Sequence, residues 1–511
     1  MLSKLLVSIA GSLGVYGLYE MFKIVHGELT SPIRRLPGPK STHWFWGNLR
    51  DIFKAENSVL HEQWVQEYGT TIKYKLFLGM TRLYTTDTSA LNHFLTNNNI
   101  YQKPEPSRYL LAKMLGRGVL VAEGDEHRQQ RRVMNPAFGA AQIRELTEIF
   151  VEKSVELRDI WAGLVANANG AARVDILSWL SKATLDIIGL AGEFISNFRS
   201  YAEGTSELGQ AFADIFRSGE TINFIRVLQS FLPVFRIIPT RLDNTMDASR
   251  ATMMRIGRQL LQDSRKEMVQ SGEKSRSRDL LSLLVRANTS KDIPASQRLS
   301  DEDVLAQVPT FLVAGHETQK RLREELLTVS TDNPTMDQLN ELPYLDCVVR
   351  ETLRIHAPVA STMRVATQDD VVPLATPYKD IDGMVHDTLK ITKGQTIMIP
   401  ILAMNRDKAI WGPDAMEFIP ERWESGSISN SIPGVWGHML SFLGGPRACI
   451  GYRFSLVEFC FFTLVRAFEF ELAVPATDIE KKTSVVQRPL VKSEPKAGNQ
   501  MPLILKPYIR S

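Results

Sequence analysis

The chain has 511 residues, 44% of them hydrophobic, which is enough to bury a large core. Lys and Arg number 60 against 57 Asp and Glu, a net charge of +3, so the charge balance gives no sign of a nucleic-acid partner and any basic patch is local. Three cysteines, Cys347, Cys449 and Cys460, exclude a disulfide framework and fit a reducing compartment.

At the N-terminus, Leu5 to Tyr19 is apolar between Lys4 and Glu20, with Gly11, Gly14 and Gly17 along it. Its length falls short of the roughly 20 residues that a spanning helix needs. A cleaved signal peptide, a buried core helix and a membrane anchor are all open. The first would need a small-residue cleavage site and an oxidising destination, against the cysteine usage. Lys23, Arg34 and Arg35, followed by the stiff Leu36-Pro-Gly-Pro39, fit an anchor over residues 1–25 and a hinge over 26–40. A folded domain over 41–511 then faces the cytosol, and so short an anchor either tilts or lies in the interface.

Ile72, Tyr74 and Leu76 alternate with Lys73 and Lys75, and Leu78-Gly-Met-Thr81 turns the chain into Arg82-Leu-Tyr-Thr-Thr86. This pattern predicts a β-hairpin. Beyond Pro104 and Pro106, Leu115-Gly-Arg-Gly118 reads as a flexible turn, since two glycines are too few to argue a phosphate cradle. Gly124-Asp-Glu-His-Arg-Gln-Gln-Arg-Arg132 is a charged run whose ordinary meaning is a solvated helix face.

Residues 140 to 300 carry helical periodicity and no chemical motif, with Gln270 to Arg278 an exposed polar loop. Asn288-Thr-Ser290 matches a glycosylation sequon, which a cytosolic domain would not use. Ser300-Asp-Glu-Asp303 caps a long apolar helix that reaches Ala314-Gly-His-Glu-Thr318. Gly315 removes bulk there, and an acid beside a hydroxyl can relay protons, although a Thr hydroxyl in a helix ordinarily bonds its own backbone. Charged Gln319-Lys-Arg-Leu-Arg-Glu-Glu325 follows at once. Glu351 and Arg354 stand one helical turn apart, a spacing that usually makes a weak surface pair.

Ser441-Phe-Leu-Gly-Gly-Pro-Arg-Ala-Cys-Ile-Gly451 presents one cysteine in a glycine-rich loop and runs into a helical pattern at Phe454, Leu456, Val457, Phe459 and Phe462. Gly444, Gly445 and Gly451 permit positive φ and close approach of a flat partner, and Pro446 stiffens the turn. A helix N-terminus and Arg447 would favour the Cys449 thiolate, the form that binds iron. A bare intracellular cysteine is more often simply buried. Here, however, Phe442, Gly445, Arg447, Cys449 and Gly451 form Phe-x-x-Gly-x-Arg-x-Cys-x-Gly, which resembles the haem-binding loop of the cytochrome P450 family. Ala314 to Thr318 resembles that family's oxygen-activating motif, and Glu351-x-x-Arg354 with Pro420-Glu-Arg422 resembles its buried ion network.

The resemblance implies one large, mainly helical domain with small antiparallel sheets near the N-terminus and between residues 363 and 400. It implies haem b, with Cys449 as the thiolate ligand to iron and Phe442 in the haem-binding loop. Arg131, Arg364 and Arg447 would hold the propionates, and Glu317 and Thr318 would manage protons. His127 stands where the family commonly places tryptophan, and the loop around Leu115 to Gly118 would face substrate. Electrons would come from a separate NADPH reductase in the endoplasmic reticulum membrane, docking on a basic face that includes Arg128 and Arg453. The run ending at Thr318 is similar to fungal members, which implies a lipophilic substrate such as a terpenoid, steroid or polycyclic aromatic in secondary metabolism or detoxification. One departure stands out, because Thr318 and Glu351 are only 33 positions apart. The family has about 20 residues more, roughly 30 Å of helix. An inactive or misspliced product is therefore the alternative reading.

Overall fold

The computed structural model describes residues 2–191, 240–271, 320–424, 432–456, 459–483 and 486–509, with a few single positions between 207 and 236. The expected loop at 272–278, the sequon at Asn288, the capped helix from Ser300, and Glu317 and Thr318 lie outside the described residues.

Helices dominate: Val59–Tyr68, Thr88–Thr96, Glu105–Leu115, Gly124–Met134, Ala140–Asn167, Ile176–Ala191, Arg241–Ser271, Pro343–Ile355 and Phe459–Ala467. One of the long helices shows why it forms. Ile143, Leu146, Phe150, Leu157, Trp161 and Val165 recur at helical spacing along Ala140–Asn167 and are all buried. That stripe packs on Phe459–Ala467, and Trp161 lies 6.1 Å from the ring of Phe468. Each such side chain contributes about 1.5–3 kcal/mol relative to exposure.

The hairpin forms as its alternation predicts. Strands β1 (Thr71–Lys75) and β2 (Thr81–Thr85) pair antiparallel, with Ile72 opposite Tyr84 and both buried. Three more strands join them: β3 (Tyr101–Gln102), β5 (Thr362–Ala366) and β8 (Thr396–Ile399), in the order β1-β2-β8-β5-β3. β5 and β8, from the 363–400 region, thus join the N-terminal hairpin in one sheet, whose β2–β8 pair is parallel. Strands β4 (Ala172–Asp175), β9 (Phe468–Leu472) and β12 (Pro502–Pro507) make a second sheet. β6 (Asp370–Lys379) with β7 (Val385–Ile391), and β10 (Ile479–Thr483) with β11 (Gln487–Val491), make two hairpins.

The N-terminal helix Leu2–Thr30 runs through residue 25, where the anchor was expected to end, and the chain becomes extended only at Ser31. Val15, Leu18 and Phe22 are exposed on it. No helix among the described residues is long and apolar enough to cross a membrane, so the expected transmembrane anchor is not seen. Near its end, the Glu28 carboxylate accepts hydrogen bonds from Lys75 and Thr81, tying the helix to the first hairpin.

Candidate functional site

The loop bearing Cys449 is pinned by its own backbone. The Cys449 N–H donates to Phe442 O at 2.8 Å, and Ala448 N–H donates to Gly445 O at 3.0 Å. Gly445 has φ +67°, and a Cβ there would lie 2.4 Å from the carbonyl oxygen of Leu95. Gly444 is extended, and its Cβ would collide with Pro433 O. Gly451 differs from the expectation: it is not in the left-handed region, and a Cβ would meet only the Phe138 ring at 3.7 Å. Only two of the three glycines are demanded by the backbone.

Cys449 is exposed, yet protein surrounds it closely enough to raise the thiol above its usual range. That combination belongs to a side chain lining a concave face. The Gly451 N–H and the charge of Arg131 oppose the shift. The cation that acts on the Cys449 thiol is Arg131, not the expected Arg447. A helix opens at Tyr452, just after the loop, and the Arg447 guanidinium is turned to Ala122 and Glu123. A metal coordinated there would deprotonate such a thiol outright.

Arg447 is buried and donates through Nη1 to Ala122 O at 2.7 Å and through Nη2 to the Glu123 carboxylate. Glu123 Oε1 also accepts the Lys103 backbone N–H at 3.1 Å. Arg131, on helix Gly124–Met134, donates to Ala448 O at 2.7 Å, so it braces the cysteine loop directly. Arg364, on β5, is 2% exposed and donates to Thr362 Oγ1 at 3.2 Å and Met363 O at 2.8 Å. Burial, with repulsion from Arg447 set against attraction by Glu123, moves Arg364 down to about 10, so it stays charged near neutrality. His127 is buried and pushed down to about 3 by burial and by Arg447, Lys103 and Arg131. It is a neutral imidazole at physiological pH. Phe442 sits between Trp436, at 5.8 Å, and Tyr452, at 6.1 Å.

The site is therefore a cysteine facing outward beside a group of cations larger than the carboxylates that answer it. Such a set fits an iron-bearing ligand that carries its own acidic groups, which is the donor set that haem requires. Among the described residues there is no cluster of three or more His, Cys, Asp or Glu side chains that suits a bare metal ion.

Behind the loop lies the ion network. Glu351 takes 2.8 and 2.7 Å hydrogen bonds from Nε and Nη2 of Arg354, with Arg422 Nε at 3.3 Å and Trp423 Nε1 at 2.9 Å. Arg354 Nη1 reaches Asn405 O and Ala415 O. Asn405 in turn accepts the Leu440 N–H at 2.9 Å and donates to Ser441 Oγ at 2.8 Å, which donates to Leu353 O. The network thus reaches the start of the cysteine loop.

A family model described as cytochrome P450 matches residues 37–319 and 317–493. The chain belongs to the cytochrome P450 family. Cytochrome P450 monooxygenase 205 of Postia placenta is 53% identical and covers 98% of both chains. Cytochrome P450 monooxygenase 128 of the same fungus is 50% identical over 97% of this chain and 96% of its own. Cytochrome P450 monooxygenase claP of Ampulloclitocybe clavipes is 34% identical over 94% of each. This P450 is accordingly an oxidoreductase of the monooxygenase kind, mainly helical, in a family that carries haem. Its match to the family model breaks at 317–319. The first alignment runs over 536 positions, more than the 511 residues of this P450, so gaps open in its own sequence.

The fold brings Arg131, Arg364, Arg447, Phe442 and Cys449 to one region. Lys103, Glu123, Asn405 and Trp423 escaped the sequence reading. Trp423 follows Pro420-Glu-Arg422 directly and carried a usable signal. Glu123 carried none, because its partner Arg447 is more than 320 residues away.

Proposed function

We propose that the chain is a haem-thiolate monooxygenase that places one atom of O2 into a lipophilic small molecule. The loop that presents Cys449 beside Arg131, Arg364 and Arg447 carries this reading. When bound, haem would supply oxygen activation through an iron whose thiolate ligand favours O–O cleavage. Cys449 would hold the iron, and Phe442 would line the loop against the porphyrin. Arg364 and Arg131 have donors to spare for propionates, whereas Arg447 orients the loop through Ala122 and Glu123. Glu317 and Thr318 would move protons toward the reacting oxygen. Electrons would arrive from a separate NADPH reductase at the endoplasmic reticulum membrane, with helix Leu2–Thr30 lying in the interface through its exposed apolar residues. Terpenoids, steroids and polycyclic aromatics suit such chemistry, and the fungal relatives support secondary metabolism or detoxification. The test is the carbon monoxide difference spectrum of the reduced full-length protein: a thiolate-type band supports the assignment, and its absence from a folded, haem-loaded protein overturns it.

A second reading is favoured by the break in the family match at 317–319 and by the excess length of the alignment. The sequence as written omits a segment after Thr318, and this form turns over poorly. Sequencing the transcript across Thr318 and expressing both forms decides between them. Full activity of the 511-residue form rejects the omission as functionally important.

A further inference from the structure

Helix Val59–Tyr68 packs on the first hairpin through side chains that are not all apolar. Across β1 and β2, Ile72 stands opposite Tyr84 and Tyr74 opposite Arg82, so Tyr74, Arg82 and Tyr84 share one face of the sheet. His61 reaches that face from the helix. Its ring stacks on Tyr84 at 4.9 Å, 17° from parallel, and stands at 73° to the Tyr74 ring at 5.2 Å. Trp64, Ile72 and Leu76 surround the three rings with apolar surface, and His61 is 8% exposed, Tyr74 1% and Tyr84 2%. Yet His61 Nε2, the Tyr74 and Tyr84 hydroxyls and Arg82 Nε make no well-formed hydrogen bond among the described residues, and none of these atoms reaches solvent. A near-parallel stack holds the imidazole and the Tyr84 phenol face to face, so their in-plane polar atoms cannot aim at each other. Buried polar atoms of this kind are almost always answered, by protein or by ordered water.

We propose that this face is a built hydration site, in which one buried water bridges His61 Nε2, the Tyr74 and Tyr84 hydroxyls and Arg82 Nε. Water accepts two hydrogen bonds and donates two, and the set suits it. Arg82 Nε only donates, the phenol oxygens do either, and a neutral imidazole can accept. Burial and Arg82 push His61 down to about 4, which leaves the ring neutral near pH 7. An anion would also satisfy the donors, but the Glu62 and Asp407 carboxylates act on Tyr84 and oppose a further negative charge there. The bridge fastens the helix to both strands of the hairpin. The same helix packs on Ile401–Asn405, whose Asn405 holds Leu440 and Ser441 at the start of the cysteine loop. The site is independent of the haem reading, since none of its residues belongs to the loop that presents Cys449.

Two measurements on the full-length protein test this. Removing a hydroxyl that has no partner leaves stability unchanged or raises it, whereas removing one that holds a buried water weakens the fold. Tyr74→Phe and Tyr84→Phe keep the rings, and each should raise the unfolding equilibrium constant in urea roughly ten-fold. A high-resolution crystal structure of the parent should show one water within about 3.2 Å of at least three of the four atoms. Unchanged or greater stability of both variants overturns the proposal, and so does the absence of water density between the rings. Anomalous bromide signal at the same place, in crystals grown in sodium bromide, overturns it in favour of an anion site.

Discussion

Glu351 and Arg354 face each other one helical turn apart through two hydrogen bonds of 2.7 and 2.8 Å, and neither side chain reaches solvent. Burial works to raise the Glu351 carboxyl, but Arg354, the Ile419 N–H and Trp423 together hold it below the usual range. Removing one partner of such a pair leaves the other charge buried and unanswered, at about 3–5 kcal/mol. Glu351→Gln is expected to lower the unfolding free energy measured in urea by that amount and to loosen the cysteine loop through Asn405. Arg321→Ala, which breaks exposed pairs with Glu421 and Glu424, should change stability by less than about 1 kcal/mol. Equal effects of the two changes would contradict the network's role.

The two loop glycines should separate cleanly. Gly445→Ala places a β-carbon against Leu95 O in a left-handed residue, with an expected loss of about 2 kcal/mol or more. Gly451→Ala meets only an ordinary ring contact and should stay within about 0.5 kcal/mol. Thermal unfolding of both variants measures this directly.

Acid should destabilise the fold through two buried histidines. His61 is pushed down to about 4 by burial and Arg82, and His127 to about 3 by burial and its cationic neighbours. Both folded values lie below the unfolded one, so the unfolded chain takes up protons that the folded chain refuses. Stability is therefore full above about pH 6.5 and declines as pH falls toward 4, by about 1.4 kcal/mol per unit for each histidine. His61→Phe keeps the ring stack on Tyr84, 4.9 Å away, and should halve the histidine part of the slope. Urea titrations at pH 5 and pH 7 read the difference, and an unaltered slope would exclude His61.

Cysteine substitutions should divide by place rather than by residue type. Cys449→Ala is expected to abolish the thiolate-type spectrum and turnover while leaving the fold intact, because the residue faces outward. Cys347 is buried in helix Pro343–Ile355, with its thiol pushed up to about 11 by burial, and is inert. Cys347→Ala should cost about 1 kcal/mol in packing and leave the spectrum unchanged. A thiolate signal that survives Cys449→Ala would reassign the iron ligand.

Sequence alone determined the features whose information is local. The hairpin at Thr71–Thr85 follows from alternation, and the Glu351–Arg354 pair from an i,i+3 spacing that any helix converts into contact. Cys449 stood out because five spaced residues of one loop match a known pattern, and two of the loop's glycines, Gly444 and Gly445, are held by close backbone neighbours. The tertiary structure decided what those side chains answer to. It turned Arg447 onto Glu123 and gave Arg131 the Ala448 carbonyl, joined β5 and β8 to the N-terminal hairpin through the parallel β2–β8 pair, and made His127 neutral. Each of these depends on burial and on partners hundreds of residues apart, and local spacing carries no record of which distant charge the fold will bring within hydrogen-bonding reach.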